Sequence, residues 1–278
     1  MKEIIPQDRY IEINGLRLHY LDWGNNGCQT MLLLHGFMAH AHVWDDFAFS
    51  FGSRYHVIAL DQRGHGESQW SEEGAYTIEN HFVDLTNFIE TLGLKNIILV
   101  GHSMGGRNAL FYTAYNPDNV KKLILVDARP RNNPESSKAL KRLLMKLPLQ
   151  AGSLDEVVQA FQGLYPYLSR EICHHIANYG YKQVNGGKLV PKYDVRMILC
   201  LERSGYVTED LWLLLKNVTC DTLVVRGKKS SFLSRQEAQK MCDIILKAEW
   251  NEIPKSTHMP AQENPEAFNS AILNFINH

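Results

Sequence analysis

Seven short aliphatic runs, separated by segments of helical period, constrain this fold more than any other feature of the chain. They are LRLHYLDW (16–23), TMLLLHG (30–36), YHVIALD (55–61), NIILVGH (96–102), KLILVDA (122–128), DTLVVRG (221–227) and AEWNEIP (248–254). Several are apolar almost throughout, which suits strands covered on both faces, as in a parallel sheet. The intervening segments are amphipathic. Ile78, Phe82, Leu85, Phe88, Ile89 and Leu92 recur at helical spacing, as do Phe268, Ile272, Phe275 and Ile276 near the end. SRQE (234–237) reads as a capping box at the start of a further helix. This alternation predicts an α/β fold, a mostly parallel sheet of about eight strands flanked by helices. Residues 9–14 are expected to form an antiparallel hairpin with the first run.

The rhythm breaks once. From about 130 to 218 the chain shows helical patterns and no convincing strand: SSKALKRLLMKL, SLDEVVQAFQGLY, SREICHHIANY and TEDLWLLLKNV. The stretch opens on RPRNNPESS, a linker-like composition. The expected organisation is a core domain of 1–129 and 219–278, with 130–218 a helical cap inserted between strands 6 and 7. Its natural place is over the C-terminal end of the sheet.

Composition narrows the classes of function. The 278 residues, 45% hydrophobic, suffice for one α/β core carrying an insertion. A net charge of −1 and no polybasic block argue against a nucleic-acid binder or an acidic membrane surface as partner. No apolar run approaches transmembrane length, and MKEIIPQDRYIEING lacks the apolar centre of a signal peptide, so a cytoplasmic location is expected. The five cysteines are scattered, odd in number and without CxxC, which reads as free thiols, with no disulfide framework and no zinc site. G-x-G-x-x-G is absent, and no cofactor or metal is expected. The sequence carries no sign of oligomeric state.

The chemistry centres on LVGHSMGGRNAL (99–110). Ser103 ends a buried strand and precedes a helix in the pattern G-x-S-x-G. Bulk at Gly101 or Gly105 would clash in so sharp a turn, and the serine is pushed out at the C-terminal end of the sheet, where open parallel sheets keep their sites. A serine hydroxyl needs a base. His258, in the loop after the last strand, lies at the same edge of the sheet. His35 ends another strand, while His174 and His175 read as helix-surface residues of the insertion. The imidazole in turn needs a carboxylate. Asp127 is the only acid at a strand's C-terminal end after Ser103, whereas Asp221 stands at the far end of its strand. Two N–H donors should face a developing oxyanion, from Met104 and Phe37. Met38, Trp44 and His102 are candidates for the substrate pocket, although Trp44 reads first as a core aromatic. DQRGHGES (61–68) reads as a tight turn held by Asp61 and Arg63.

HGFMAHAHVW (35–44), DQRGHGES, GHSMGG (101–106) and HMPAQENPEAF (258–268) together resemble, in order, the signature segments of the α/β-hydrolase superfamily over essentially the whole chain. Many members carry their acid after the strand that here ends at Gly227, in a G-x-x-D setting; this chain has Ser230 there. It looks like an esterase-like branch in which the acid moves to the previous strand, and so favours Asp127. With serine and not aspartate as nucleophile, it does not look like the family's haloalkane dehalogenases or epoxide hydrolases. The resemblance implies a hydrolase of small or medium carboxylic esters acting through an acyl-enzyme, with a small-molecule acyl substrate as partner. The alternatives are a C–C bond or lactone hydrolase on the same residues, and a non-catalytic receptor that kept the fold.

Overall fold

This computed structural model describes residues 5–131, 141–142, 145–198 and 210–278. Eight strands form the main sheet: β1 (Gln7–Ile13), β2 (Leu16–Asp22), β3 (Thr30–Leu34), β4 (His56–Leu60), β5 (Ile97–His102), β6 (Val120–Val126), β9 (Asp221–Gly227) and β10 (Ala248–Ile253). Their order is β1-β2-β4-β3-β5-β6-β9-β10. β1 and β2 form the expected antiparallel hairpin, β2 runs antiparallel to β4, and every neighbour from β4 to β10 is parallel.

Alternation along the central strands builds two apolar layers. Leu33, Val57, Val100, Ile124 and Val225 share one cluster with Trp44, Phe51 and Phe268. Leu32, Ile58, Leu99, Leu123 and Val224 share the other with Phe88, Phe111 and Met241. Helices cover both: α1 (Asp45–Phe51), α2 (Ile78–Thr91), α3 (Met104–Tyr115), α6 (Arg235–Ile244) and α7 (Pro265–Asn277). The capping box at Ser234 and Glu237 forms as its sequence suggests.

Between β6 and β9 lie α4 (Leu154–Leu164), α5 (Arg170–Gly180) and a short helical turn at Leu211–Leu214. The helix expected over 136–147 falls mostly outside the described residues. One expectation needs correcting. This stretch does contain strands, β7 (Tyr181–Gln183) and β8 (Leu189–Pro191), which pair antiparallel as a separate hairpin and add nothing to the main sheet. Gly186 and Gly187, both at positive φ, supply its turn. Hydrogen bonds fasten the stretch to the loops that follow β3 and β4: His40 Nε2–H donates to the Ile176 carbonyl at 3.0 Å, and the Tyr76 hydroxyl to Asp194 Oδ2 at 2.5 Å. Among the described residues no helix is long and apolar enough to cross a membrane.

Candidate active site

The turn at Ser103 is built by what its neighbours lack. Ser103 has φ 51° and ψ −109°, a conformation rarely adopted by a residue with a side chain. A Cβ on Gly101 would lie 2.3 Å from the Gly105 carbonyl oxygen, and one on Gly105 2.4 Å from that of Leu34. Strand, turn and helix can approach this closely only through glycine. Ser103 N–H donates to the Val126 carbonyl at 2.9 Å, which ties the turn to the end of β6.

β6 neighbours β5 in the sheet, so its end opens beside Ser103. Asp127 stands there, buried, at φ 44°. The loop after β10 brings His258 across from the other side. His258 Nδ1–H donates to Asp127 Oδ2 at 2.7 Å, which leaves Nε2 to accept the Ser103 hydroxyl at 3.0 Å. The three residues picked out in the sequence thus meet in one hydrogen-bonded chain. Asp221 is elsewhere, at the opposite end of β9, 3.4 Å from Lys122 Nζ.

Several further residues hold this arrangement, and the sequence showed the roles of none of them. The Ser230 hydroxyl donates to Asp127 Oδ2 at 2.6 Å, while Gly227 N–H donates to Oδ1 at 3.2 Å. The carboxylate is therefore oriented on both oxygens, with Oδ2 turned to the imidazole. Phe232 stacks on the His258 ring, centroids 3.9 Å apart. Glu263 grips the loop itself, accepting from Thr257 N–H at 2.6 Å, the Thr257 hydroxyl at 2.7 Å and Met259 N–H at 3.2 Å.

Met104 is the first residue of α3, so its N–H has no carbonyl within the helix to face. Phe37 follows Gly36, whose Cα approaches the elbow so nearly that a Cβ there would lie 3.4 Å from Ser103 Cβ. Both expected donors therefore belong to segments flanking the hydroxyl. Of the pocket candidates, His102 Nε2–H is committed to the His258 carbonyl at 2.7 Å, and burial holds its ring neutral with a pKa of about 3. Trp44 is 1% exposed and packs edge-on against Phe47 in the core. Met38 is buried in the same cluster at φ 62°.

DQRGHGES is a structural turn. Asp61 accepts from Ala41 N–H, Glu67 N–H and His19 Nδ1, and Arg63 forks onto both oxygens of Asp84 at 2.5 and 2.7 Å. Together these bonds tie the turn after β4 to β2, to α2 and to the loop after β3.

Residues 29–164 match the family model described as alpha/beta hydrolase fold. The chain is 30% identical to 2-(acetamidomethylene)succinate hydrolase of Mesorhizobium japonicum over 273 residues, 96% of this chain and 94% of that one. A solved structure of E-2-(acetamidomethylene)succinate hydrolase superposes with a TM-score of 0.90 at 28% identity, covering 99% of this chain and 100% of the other. Epoxide hydrolase 3 of Xenopus tropicalis is 28% identical over 294 residues, 97% of this chain and 78% of that protein, so a likeness to epoxide hydrolases does exist over nearly the whole chain. Whole-length similarity, the elbow and the sheet order agree: the chain belongs to the α/β-hydrolase fold superfamily.

Proposed function

We propose that this protein is a serine hydrolase that cleaves small or medium carboxylic esters, or close acyl analogues, through an acyl-enzyme. The observation that carries this reading is the unbroken chain from Asp127 Oδ2 through His258 to Ser103 Oγ, with links of 2.7 and 3.0 Å. His258 Nε2 takes the hydroxyl proton as Ser103 Oγ adds to the acyl carbon. The oxyanion is received by the Phe37 and Met104 N–H groups. His258 then returns the proton to the leaving oxygen, and water repeats the cycle on the acyl-enzyme. Asp127 fixes the tautomer and balances the imidazolium. In this reading the stretch expected as a cap (130–218) covers the cleft, and Tyr165, which follows α4, is buried.

A second reading is favoured by one finding. A relative matched over 94% of its length is named for an acetamido dicarboxylate and not for an ester. The same residues would then cleave a non-ester acyl bond. The test is a fluorophosphonate probe followed by a panel of p-nitrophenyl esters of increasing chain length, with a lactone, an enamide and a vinylogous diketone as comparators. Stoichiometric labelling at Ser103, lost in Ser103→Ala, is the expected result. Absence of labelling in folded protein would leave a binding protein that kept the fold. Ester turnover by Ser103→Ala within about tenfold of wild type, ~1.4 kcal/mol in barrier, would remove Ser103 as nucleophile.

A further inference from the structure

Away from the Ser103 cleft, two histidines and a carboxylate converge where the inserted segment meets the main domain. His42 lies in the 3-10 turn Ala41–Trp44, Asp45 opens α1, and His175 comes from α5. Asp45 Oδ2 is 2.9 Å from His42 Nδ1 and 3.1 Å from His175 Nε2, and the three donor atoms lie within 4.8 Å of one another. The two histidines border a cleft of about 230 Å³ also lined by Asp46, Glu171 and Gln262. From this geometry we propose that His42, Asp45 and His175 form a binding site for a divalent transition-metal ion, with zinc the best match, that bridges the inserted segment and the main domain.

Donor chemistry selects the class of ion. Two imidazoles and one carboxylate suit zinc and its neighbours, whereas magnesium and calcium take oxygen donors. Spacing agrees. With zinc–ligand distances of about 2.0–2.1 Å, tetrahedral ligands stand about 3.3 Å apart. The two measured separations from Asp45 Oδ2 are within a few tenths of that, and the two imidazole nitrogens lie within 4.8 Å of each other. Each imidazole would bind zinc in its neutral form through the nitrogen that now faces the carboxylate, with its single proton on the other nitrogen.

Other features of the cluster fit an ion better than a simple hydrogen-bonded network. Asp45 Oδ1 is buried and has no hydrogen-bond partner among the described residues, so half of the carboxylate is uncompensated. Tyr179 stacks on the His42 ring with centroids 3.6 Å apart, which fixes its orientation. His175 Nε2 is also 3.1 Å from the His42 carbonyl, so the ring already faces the turn it would share an ion with. Asp46 and Glu171 add negative charge at the mouth. Three protein ligands leave a fourth position open to water.

The His42–Asp45 spacing of i and i+3 is unremarkable, and His175 is distant in sequence. Only docking of α5 on the turn after β3 creates the set, which explains why cysteine spacing pointed to no metal. An ion here would join α5 to the same loop that carries Phe37, so it would hold the inserted segment against one wall of the Ser103 site.

The experiment is zinc titration of the metal-free full-length protein by calorimetry, repeated on His42→Ala and His175→Gln, with cobalt(II) absorption as a second readout. The expected result is one zinc per chain, at least tenfold weaker binding in each variant, and a cobalt ligand-field band without a thiolate charge-transfer band. His175 is partly exposed, so His175→Gln keeps the test open if His42→Ala does not fold. His258→Ala should bind zinc as wild type does, which separates this site from the Ser103 centre. Absent stoichiometric binding, a thiolate band, or unchanged affinity in His175→Gln would overturn the proposal.

Discussion

At the scale of single residues, the site turns on how one carboxylate is aimed. Asp127 Oδ2 accepts from both His258 and Ser230, at 2.7 and 2.6 Å. The Ser230 hydroxyl is itself fixed, because its oxygen accepts from Phe232 N–H at 3.0 Å. Asp127→Asn should lower kcat by ~10⁴ while KM and stability change little, since an amide can push the imidazole into the wrong tautomer and cannot balance the imidazolium. Ser230 is near enough to make a rescue informative. A carboxylate grown from position 230 would reach into the space now shared by Asp127 Oδ2 and His258 Nδ1. Asp127→Asn combined with Ser230→Asp should therefore recover at least tenfold in kcat over Asp127→Asn alone. Steady-state kinetics on the most reactive p-nitrophenyl ester provides the comparison. An Asp127→Asn enzyme within tenfold of wild type would sink the assignment of the acid.

At the scale of elements, the strand–turn–helix unit of β5 and α3 depends on backbone approaching backbone. A Cβ on Gly101 would meet the Gly105 carbonyl oxygen at 2.3 Å and the Gly106 Cα at 2.7 Å, and none of these atoms is a flexible side-chain end. Gly101→Ala should cost ~1–3 kcal/mol by urea denaturation and displace Ser103, with activity falling further than stability. Gly163, in α4, is the contrasting control, since nothing lies within 4 Å of a Cβ placed there. Gly163→Ala should stabilise by ~0.5–1 kcal/mol, because alanine loses less backbone freedom on entering a helix. Equal effects at the two positions would refute the packing account of the elbow. The same elements show what a reader of the sequence can recover. The central parallel strands are buried and apolar on both faces, so their runs were visible, and the ends of all seven runs fell within two residues of those observed. Ser103, His258 and Asp127 were legible because each stands at a strand end on one edge of the sheet. Ser230 and Glu263 were not, since their roles come from where two loops cross: a Cβ on Gly227 would lie 1.8 Å from the Thr257 carbonyl oxygen. The β7–β8 hairpin was missed because strands of three residues carry too little alternation to register.

Across the whole molecule, buried histidines make stability depend on pH in a window set by imidazole and not by carboxylates. Burial holds His35 and His102 at a pKa of about 3, and His40 and His65 at about 4, against an ordinary value of 6.5. His40 Nδ1 and His65 Nε2 are buried without a hydrogen-bond partner among the described residues, so protonation there would bring a charge with nothing to receive it. The sign follows from proton counts. Above pH 6.5 these rings are neutral in both the folded and unfolded chains and contribute no pH dependence. Below it the unfolded chain takes up protons that the folded one refuses, so each ring lowers stability by up to ~1.4 kcal/mol per pH unit until its folded pKa is reached. His19 opposes the trend: burial lowers its pKa, but hydrogen bonds and charges of Asp61 and Asp8 outweigh that and leave it raised. His175 is raised as well, first through its bond to Asp45. Raised groups stabilise the fold below 6.5 and lose that contribution as pH climbs through their folded values. Burial depresses His81 as well, so five depressed rings outnumber two raised ones, and their combined effect by pH 5 is several kcal/mol, comparable with the ~5–15 kcal/mol by which domains are stable at all. The urea midpoint should hold level from pH 8 to about 7 and then fall steadily to pH 5, while the carboxylates are still ionised. A midpoint that stays flat to pH 5 and drops only below about 4.5 would place acid unfolding with the aspartates and glutamates, and would mean that these histidines are protonated in the folded protein.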